Sequence, residues 1–468
     1  MLRASAIAEA AGVPTASLVC EGFVGQALTT SAGIGMPNLP IARVPGHVDV
    51  QSAEQLRENV LAVTLDDVIE NLTADPEAAT AVVEPSPTDI VFEGSFEDVN
   101  RLYYENRWSD GLPIVPPTVE KVREFLDFTD RHEDEIIGVA APDNRNATVW
   151  NAAVNGVMAG CRPEYMPVLV ALAEAMVDPQ YGVEHSGNTP GAETLITING
   201  PLIRELEFNY EQGALRDGFK PNTSIGRFWR LYLRNVAGFL LHETDKGTFG
   251  NTWRVVLAEN EQAIDKIGWP PLAADFGFER GDNAVTISRY TGGSVIVSVF
   301  GTSAEECLPY LADGLAKHTG WELVFTIGMA TGGYRPLLVL SPIVAETIAG
   351  SGFSKDDVKR YLFEHARMPA WKFEKYIAGW TNFIPGNRSL VDMVNFGKAP
   401  KIFAESDDPE RLVPIVCKPE DFLIAVSGDP LRTNCYVFTH NGILGYPVGK
   451  GIELPGDWAA KLAAAKAR

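Results

Sequence analysis

The sequence predicts an α/β protein: an incomplete flavodoxin-like parallel α/β module, followed by a larger mixed α/β domain. Three observations predict it. Over residues 1–74, helical periodicities and short apolar runs alternate as helix, strand, helix, strand, helix. From residue 96 to the end, amphipathic helices mix with short alternating runs in no simple order. Between them, residues 75–95 hold three prolines, several acidic residues and little periodicity, which reads as a linker.

In the first module the residues predict helices over 2–11, 24–36 and 53–72, with strands over 15–20 and 41–44. A parallel βα sheet ordinarily opens with a strand. The expectation is therefore that the opening strand and its loop come from a partner chain or have been lost. In the larger region, 96–107 has Phe96, Val99, Leu102 and Tyr103 at helical spacing. A Pro/Gly-rich turn over 108–118 leads to a helix over 119–127. Two helices, 147–160 and 163–177, are broken by a short turn. Residues 193–199 alternate as a strand, and 224–241 read as an amphipathic helix. Strands are expected over 254–258, 284–288 and 294–300, a helix over 304–318, and a strand over 322–327. A candidate subdivision lies near 330. Beyond it come a strand over 336–340, helices over 343–349 and 354–368, strands over 422–427 and 435–439, and a last Ala/Lys helix. Ser354 with Asp357 three residues on signs one helix start. No convincing internal repeat is visible.

The 468 residues suffice for two or three domains. With 39 Lys+Arg against 61 Asp+Glu, the net charge of −22 excludes nucleic acid and anionic membranes as natural partners. No apolar run approaches a membrane span and no secretory h-region opens the chain, so a cytoplasmic protein is expected. The five cysteines show neither CxxC nor zinc spacing, which suits free thiols in a reducing compartment.

Residues 12–47, with GVPTASLVCEGF and then GIGMPNLPIARVPGHV, resemble the UGSC family of (seleno)proteins. There, a preceding strand leads to a selenocysteine (or cysteine)–Gly–Ser–Cys loop. This sequence lacks that motif, so the redox role passes to no residue here. The larger region looks like a widespread bacterial family often found with that module. The matching pieces include DGLPIVPPT (110–118), VNGVMAGCRPEYMPV (154–168), INGP (198–201), TDKGTFG (244–250), AENE (258–261) and SGFSKDDVKRYLFEHARMP (351–369). The resemblance implies thiol or selenol chemistry shared with a small partner subunit that brings the strand and loop.

Candidate site residues follow from residue type and position. Cys20 and Glu21 close the first strand and His47 follows the second, so all belong to one sheet edge; Glu21 and His47 can form an acid/base pair. Asp110 is a carboxylate in a turn stiffened by Pro113, Pro116 and Pro117. Asn151 and Asn155 share a helix face. Cys161 lies before a second helix, where a thiol pKa would be lowered. His185 and Asn199 flank a strand. The segment 242–251 is the densest polar cluster: Asp245 and Lys246 can bind a carboxylate or stabilise negative charge, with Thr248 and Asn251 beside them. His242, Glu243 and Asp245 are an alternative metal set, although their spacing does not support it. Arg227, Arg230 and Arg234 form a basic stripe. No nucleotide motif appears, and no cofactor is identified.

The leading expectation is an enzyme, or the large subunit of an oligomeric one. It would act on a small polar molecule by thiol- or selenol-dependent redox or thiol-transfer chemistry. The catalytic residues expected are Cys161, Asp245, Lys246, His185 and Glu21. Substrate would be bound by Asp110, Asn151, Asn155, Asn199, Thr248, Asn251 and His47. The alternatives are a self-sufficient metal-assisted lyase or hydrolase, and a non-catalytic scaffold subunit.

Overall fold

A computed structural model describes residues 2–74, 88–251, 253–380 and 389–467. The chain opens with α1 (Leu2–Ala10), β1 (Ser17–Cys20), α2 (Val24–Gly33) and β2 (Ile41–Val44). Helices α3 (Ala53–Asn59) and α4 (Leu65–Thr73) follow, continuous through a π-turn at Val60–Thr64. The capping box of Ser52 and Gln55 starts α3. β1 and β2 pair in parallel, with Ser17 opposite Ile41 and Cys20 opposite Val44. The outer edge of β2 is covered: Arg43 N donates to Asp67 (2.9 Å) and Thr64 Oγ1 donates to the Arg43 carbonyl (2.8 Å). The module buries few large side chains, and Leu61, Leu65, Ile69 and Leu72 stay exposed along α3–α4. Of the linker expected over 75–95, residues 75–87 lie outside the described residues, and 89–95 carry neither helix nor strand.

The larger region continues with α5 (Phe96–Glu105), α6 (Val119–Leu126), the hairpin β3 (Ile136–Ala140)–β4 (Arg145–Thr148), α7 (Val149–Ala159) and α8 (Met166–Val177). Next come β5 (Glu193–Asn199), α9 (Leu202–Glu205), α10 (Lys220–Asn235), β6 (Val256–Ala258), α11 (Glu261–Ile267) and β7 (Ala284–Ile296). After them follow α12 (Ala304–His318), β8 (Leu337–Leu340), α13 (Pro342–Gly350) and α14 (Lys355–His365). The short pair β9 (Arg367–Pro369) and β10 (Leu412–Pro414) brackets α15 (Ala370–Ile377) and α16 (Leu390–Asn395). The chain finishes with β11 (Leu423–Val426), β12 (Cys435–His440), β13 (Val448–Gly451) and α17 (Trp458–Lys466).

One mixed sheet organises this region, in the order β11-β8-β12-β7-β5-β6, with β13 alongside the start of β7. Its pairing pattern occurs twice. β5 has β6 parallel on one side and β7 antiparallel on the other; β8 has β11 parallel and β12 antiparallel. β7 and β12 pair antiparallel at the centre, so an approximate twofold relates the halves. Punctuation repeats with it. Pro167 and Pro309 sit early in α8 and α12, Pro201 and Pro342 follow β5 and β8, and Gly218–Phe219 and Gly352–Phe353 lead into α10 and α14. The absence of a repeat in the sequence is thus corrected. The halves share backbone punctuation and pairing, while the side chains between have diverged.

The sheet curls until its outer strands meet. Asn260 N donates to the Val426 carbonyl (2.7 Å) and Ser427 Oγ to the Ala258 carbonyl (2.8 Å). The buried Glu259 carboxylate bolts this seam, accepting from Val426 N (3.0 Å), Leu272 N (2.6 Å) and Asn199 Nδ2 (2.7 Å). Leu195, Leu257, Tyr290, Leu337 and Phe438 fill the concave face. On the convex face, one core packs α7, α8 and α10 over the first half, and another packs α12, α13 and α14 over the second.

Three expectations change. Residues 321–325 form a 3₁₀ turn (Trp321–Phe325) where a strand was expected over 322–327. Their burial produces an apolar run, and such a run carries no strand period. The strands expected over 284–288 and 294–300 are one strand, β7, passing through Gly292 and Gly293. Helix α10 starts at Lys220 and ends at Asn235, well before Leu241. Among the described residues no helix is long and apolar enough to cross a membrane.

Candidate functional site

A cleft of about 990 Å³ opens between α5, the turn after it, α7 and the C-terminal end of α10. Its walls are apolar and aromatic, including Tyr103, Trp108 and Trp150; Tyr103 and Trp108 meet edge-on at 5.3 Å. A chain of amides runs along one side. Thr148 caps α7 with Asn151, and Asn155 Nδ2 donates to the Asn151 carbonyl (2.9 Å). Asn235 Nδ2, from α10, donates to Asn155 Oδ1 (2.9 Å) and to the Trp108 carbonyl (3.0 Å). These bonds fix the Asn235 amide and leave its buried Oδ1 without a donor. Asn151 and Asn155, grouped from their spacing, therefore do line one cleft.

The rim is conformationally demanding. Arg107 and His242 both adopt positive φ (59° and 71°), a costly geometry outside glycine. They are linked, because the Arg107 guanidinium pairs with Glu243 and donates to the Leu241 carbonyl. Gly238, with φ of 84°, also borders the cleft; a Cβ there would fall 2.2 Å from the Asp143 carboxyl.

Beneath the rim lies the α10 arginine stripe. Arg227 grips Asp110 at 2.8 and 3.0 Å and also holds the Pro113 carbonyl (2.9 Å). This clamp pins the 108–113 turn onto α10. Burial pushes the Asp110 carboxyl up, but Arg227 outweighs it and holds it below the usual carboxylate range. Arg230 stands between Glu193 (3.3 Å) and Asp245 (3.6 Å). Burial raises the Glu193 pKa against the pull of Arg230. Arg254 lies 3.9 Å from Asp110, and Arg145, on the cleft wall, 3.3 Å from Asp143. Arg234 differs. It lines the cleft, its one hydrogen bond goes to the Arg107 carbonyl (3.3 Å), and among the described residues it has no carboxylate partner. Burial first, then the charges of Arg230 and Arg107, bring its pKa below the usual arginine value.

Five of the remaining predicted residues gather in a second patch, where the loops 185–191 and 242–251 zip together. Lys246 N donates to the Gly187 carbonyl (2.9 Å), and Thr248 N and Oγ1 to that of Thr189 (3.0 and 2.9 Å). Asn251 Nδ2 reaches the carbonyls of Gly191 (3.2 Å) and Thr291 (2.9 Å). This brings together His185, Asp245, Lys246, Thr248 and Asn251, although several spend their polar groups on the loops themselves. Lys246 Nζ donates to the His242 carbonyl (3.0 Å), and burial lowers the His185 pKa. Asn199 lies at the far end of β5, tied to Glu259 and Glu261.

Three expectations are corrected. Cys161 follows the left-handed Gly160 that ends α7, and no α-helix N-terminus activates it. Burial pushes its thiol up to about 12, the reverse of the lowered value expected. The set His242, Glu243 and Asp245 does not converge: Glu243 goes to Arg107 and Asp245 to Arg230. Among the described residues no three His, Cys, Asp or Glu groups could hold a metal ion. Glu21 and His47 do share one sheet edge, but they do not bond each other. Glu21 accepts from Gly46 N (3.5 Å), and His47 Nδ1 from Asp49 N (3.2 Å).

The first module docks on the cleft rim. Asn144 Nδ2 donates to the Gly33 carbonyl (2.7 Å), and a Cβ on Gly33 would fall 2.2 Å from the Pro142 carbonyl oxygen. Gly25 approaches Glu243, and Arg3 pairs with Glu184 (3.2 Å). Sequence reasoning missed Tyr103, Arg107, Glu193 and Asn235. Their identities carry no local pattern, whereas the spacing of Arg227, Arg230 and Arg234 was a usable signal.

Fold and site together define an α/β protein with an aromatic-walled, arginine-bearing cleft under a small parallel module. Residues 1–74, that module, match the UGSC family. No curated protein and no solved structure matches the chain.

Proposed function

We propose that the chain is the large subunit of an enzyme that binds a small polar molecule in the cleft lined by Tyr103, Trp108, Trp150, Asn151 and Asn155. The chemistry would be thiol- or selenol-dependent, with the reactive group contributed by a small partner subunit. One observation carries this reading: the UGSC-like module sits on the rim of that cleft, bonded through Gly33 and Asn144. Two further features support a partner. The Cys161, Cys307, Cys417 and Cys435 thiols of the larger region are all raised by burial, so none of these four is poised as a thiolate. The sheet of the module has two strands, and parallel sheets are ordinarily larger and covered on both faces. Five free cysteines suit a reducing cytoplasm.

The test is reconstitution. The chain is purified with any short polypeptide that co-purifies, and thiols are blocked on one component before mixing. Turnover should vanish when the partner is blocked and survive when only this chain is treated. Turnover by this chain alone, after complete thiol blocking, would rule the reading out. If Asn155→Leu leaves turnover unchanged, the cleft is not the site.

A further inference from the structure

The geometry points to an organic monocarboxylate with an apolar body as the ligand class of this cleft, anchored on Arg234. The inference rests on reading the cleft as the substrate site and adds the chemistry of what enters it. Every neighbouring arginine already has its counter-ion: Arg107 has Glu243, Arg145 has Asp143, Arg227 and Arg254 share Asp110, and Arg230 has Glu193 and Asp245. Arg234 is half-buried on the cleft wall; among the described residues its one hydrogen bond goes to a backbone carbonyl and it forms no ion pair, with Asp110 and Asp245 acting on it only from farther off. A guanidinium has five donors in a fixed fork, matched to a carboxylate's two oxygens. The fork fits the two oxygens of one carboxylate, and the acidic Asp89, Glu93 and Glu120 on the same lining disfavour a more highly charged anion such as a phosphate dianion.

The surroundings set the rest of the ligand. Tyr103, Trp108 and Trp150 offer faces and edges that bury an apolar or planar body. Asn151 Oδ1 is consumed by the Thr148 backbone N (3.1 Å) and hydroxyl (2.9 Å), while no acceptor engages its Nδ2 among the described residues. That nitrogen is a second donor on the cleft wall for an anionic oxygen.

The experiment is a binding titration on the full chain with four probes: benzoate, benzamide, propionate and inorganic phosphate. Quenching of tryptophan fluorescence reports occupancy, because Trp108 and Trp150 line the cleft. A charge-assisted hydrogen bond is worth about tenfold or more in affinity, so benzoate should bind at least about tenfold tighter than benzamide. Arg234→Gln should erase that preference without weakening benzamide. Arg234→Lys, which keeps the charge and loses the fork, should retain part of it and guards against misfolding of the first variant. Equal binding of acid and amide, a preference that survives Arg234→Gln, tighter binding of phosphate than of benzoate, or no binding by any probe would each overturn the assignment. Equal binding of acid and amide, both abolished by Asn155→Leu, would overturn the anion class and leave the cleft standing. Binding indifferent to Asn155→Leu would remove the cleft as well.

Discussion

The UGSC-like module and the sheet region that carries it are built on the same α/β logic, yet they differ in how much they enclose. Within residues 2–74 the buried hydrophobic residues are Ala6, Ala27, Leu39, Ala42 and Val44, mostly small. The sheet region instead buries whole helices: Leu169, Leu172 and Met176 of α8 are fully inaccessible, as are Phe228 and Leu231 of α10. Stability scales with apolar surface removed from water. The comparison therefore implies a self-sufficient body and a module that leans on it, or on a partner.

Separation tests this most severely. Residues 1–74 expressed alone should show no cooperative thermal transition by circular dichroism, whereas residues 88–468 should keep one. A sharp transition in the fragment would break the comparison. The next largest effect lies in the pinned turn. Asp110→Ala leaves the partly buried Arg227 with only the Leu112 and Pro113 carbonyls, a loss of about 3 kcal/mol, measurable by urea denaturation. Because the Asp110 pKa is lowered on folding, the stabilisation from this pair is present above the ordinary carboxylate pKa. It is lost as pH falls through the folded value. In Asp110→Asn that part of the acid sensitivity should disappear.

A matched pair sharpens the contrast between regions. Leu169→Ala in the body should cost about 2–5 kcal/mol. Leu65→Ala on the exposed stripe of the module should cost under about 0.5 kcal/mol in the isolated chain. Equal losses would show the module to be as tightly built as the body. A further effect is absent at neutral pH and grows in acid. His440 is fully buried and neutral; its Nδ1 accepts from Arg335 N (2.9 Å) and Gly442 N (3.1 Å), and Nε2 faces the Gly445 carbonyl (3.1 Å). Burial, above all, lowers its pKa to about 3 from 6.5. The unfolded chain takes up that proton first, so stability should fall as pH drops from 6.5 towards 3. His440→Gln should flatten this limb of the stability curve. The smallest effect is local. Gly33→Val should undock α2 from Pro142, speeding hydrogen exchange at the α2 amides while the main thermal transition of the body stays in place.

Much of the framework was legible because local signals agree with the fold. The strands at 41–44 and 193–199 and the helix at 304–318 have the bounds their periodicity predicts. Ser354 caps its helix with Asp357 as the spacing implies. The site was legible only in pieces. Asn151 and Asn155 were grouped correctly because helical spacing is a local fact. Tyr103 and Asn235 were beyond reach because nothing near them in sequence marks the cleft they share across more than a hundred residues. Cys161 shows the opposite failure: its place before a helix suggested activation, and burial reversed it.

The sequence by itself determined the α/β class, the element order of the first module, the acidic surface and the likeness of that module to a known family, since each depends on composition or on patterns within a few residues. The tertiary structure alone decided that the sheet is doubled and curled shut at Glu259, that the module rests on a cleft rim, and that Arg234, unlike the arginines around it, has no ion-pair partner among the described residues. Those are outcomes of pairing between distant strands and of which charges become buried together. No window of neighbouring residues encodes them, because the free energy of a buried charge is set by what surrounds it in space.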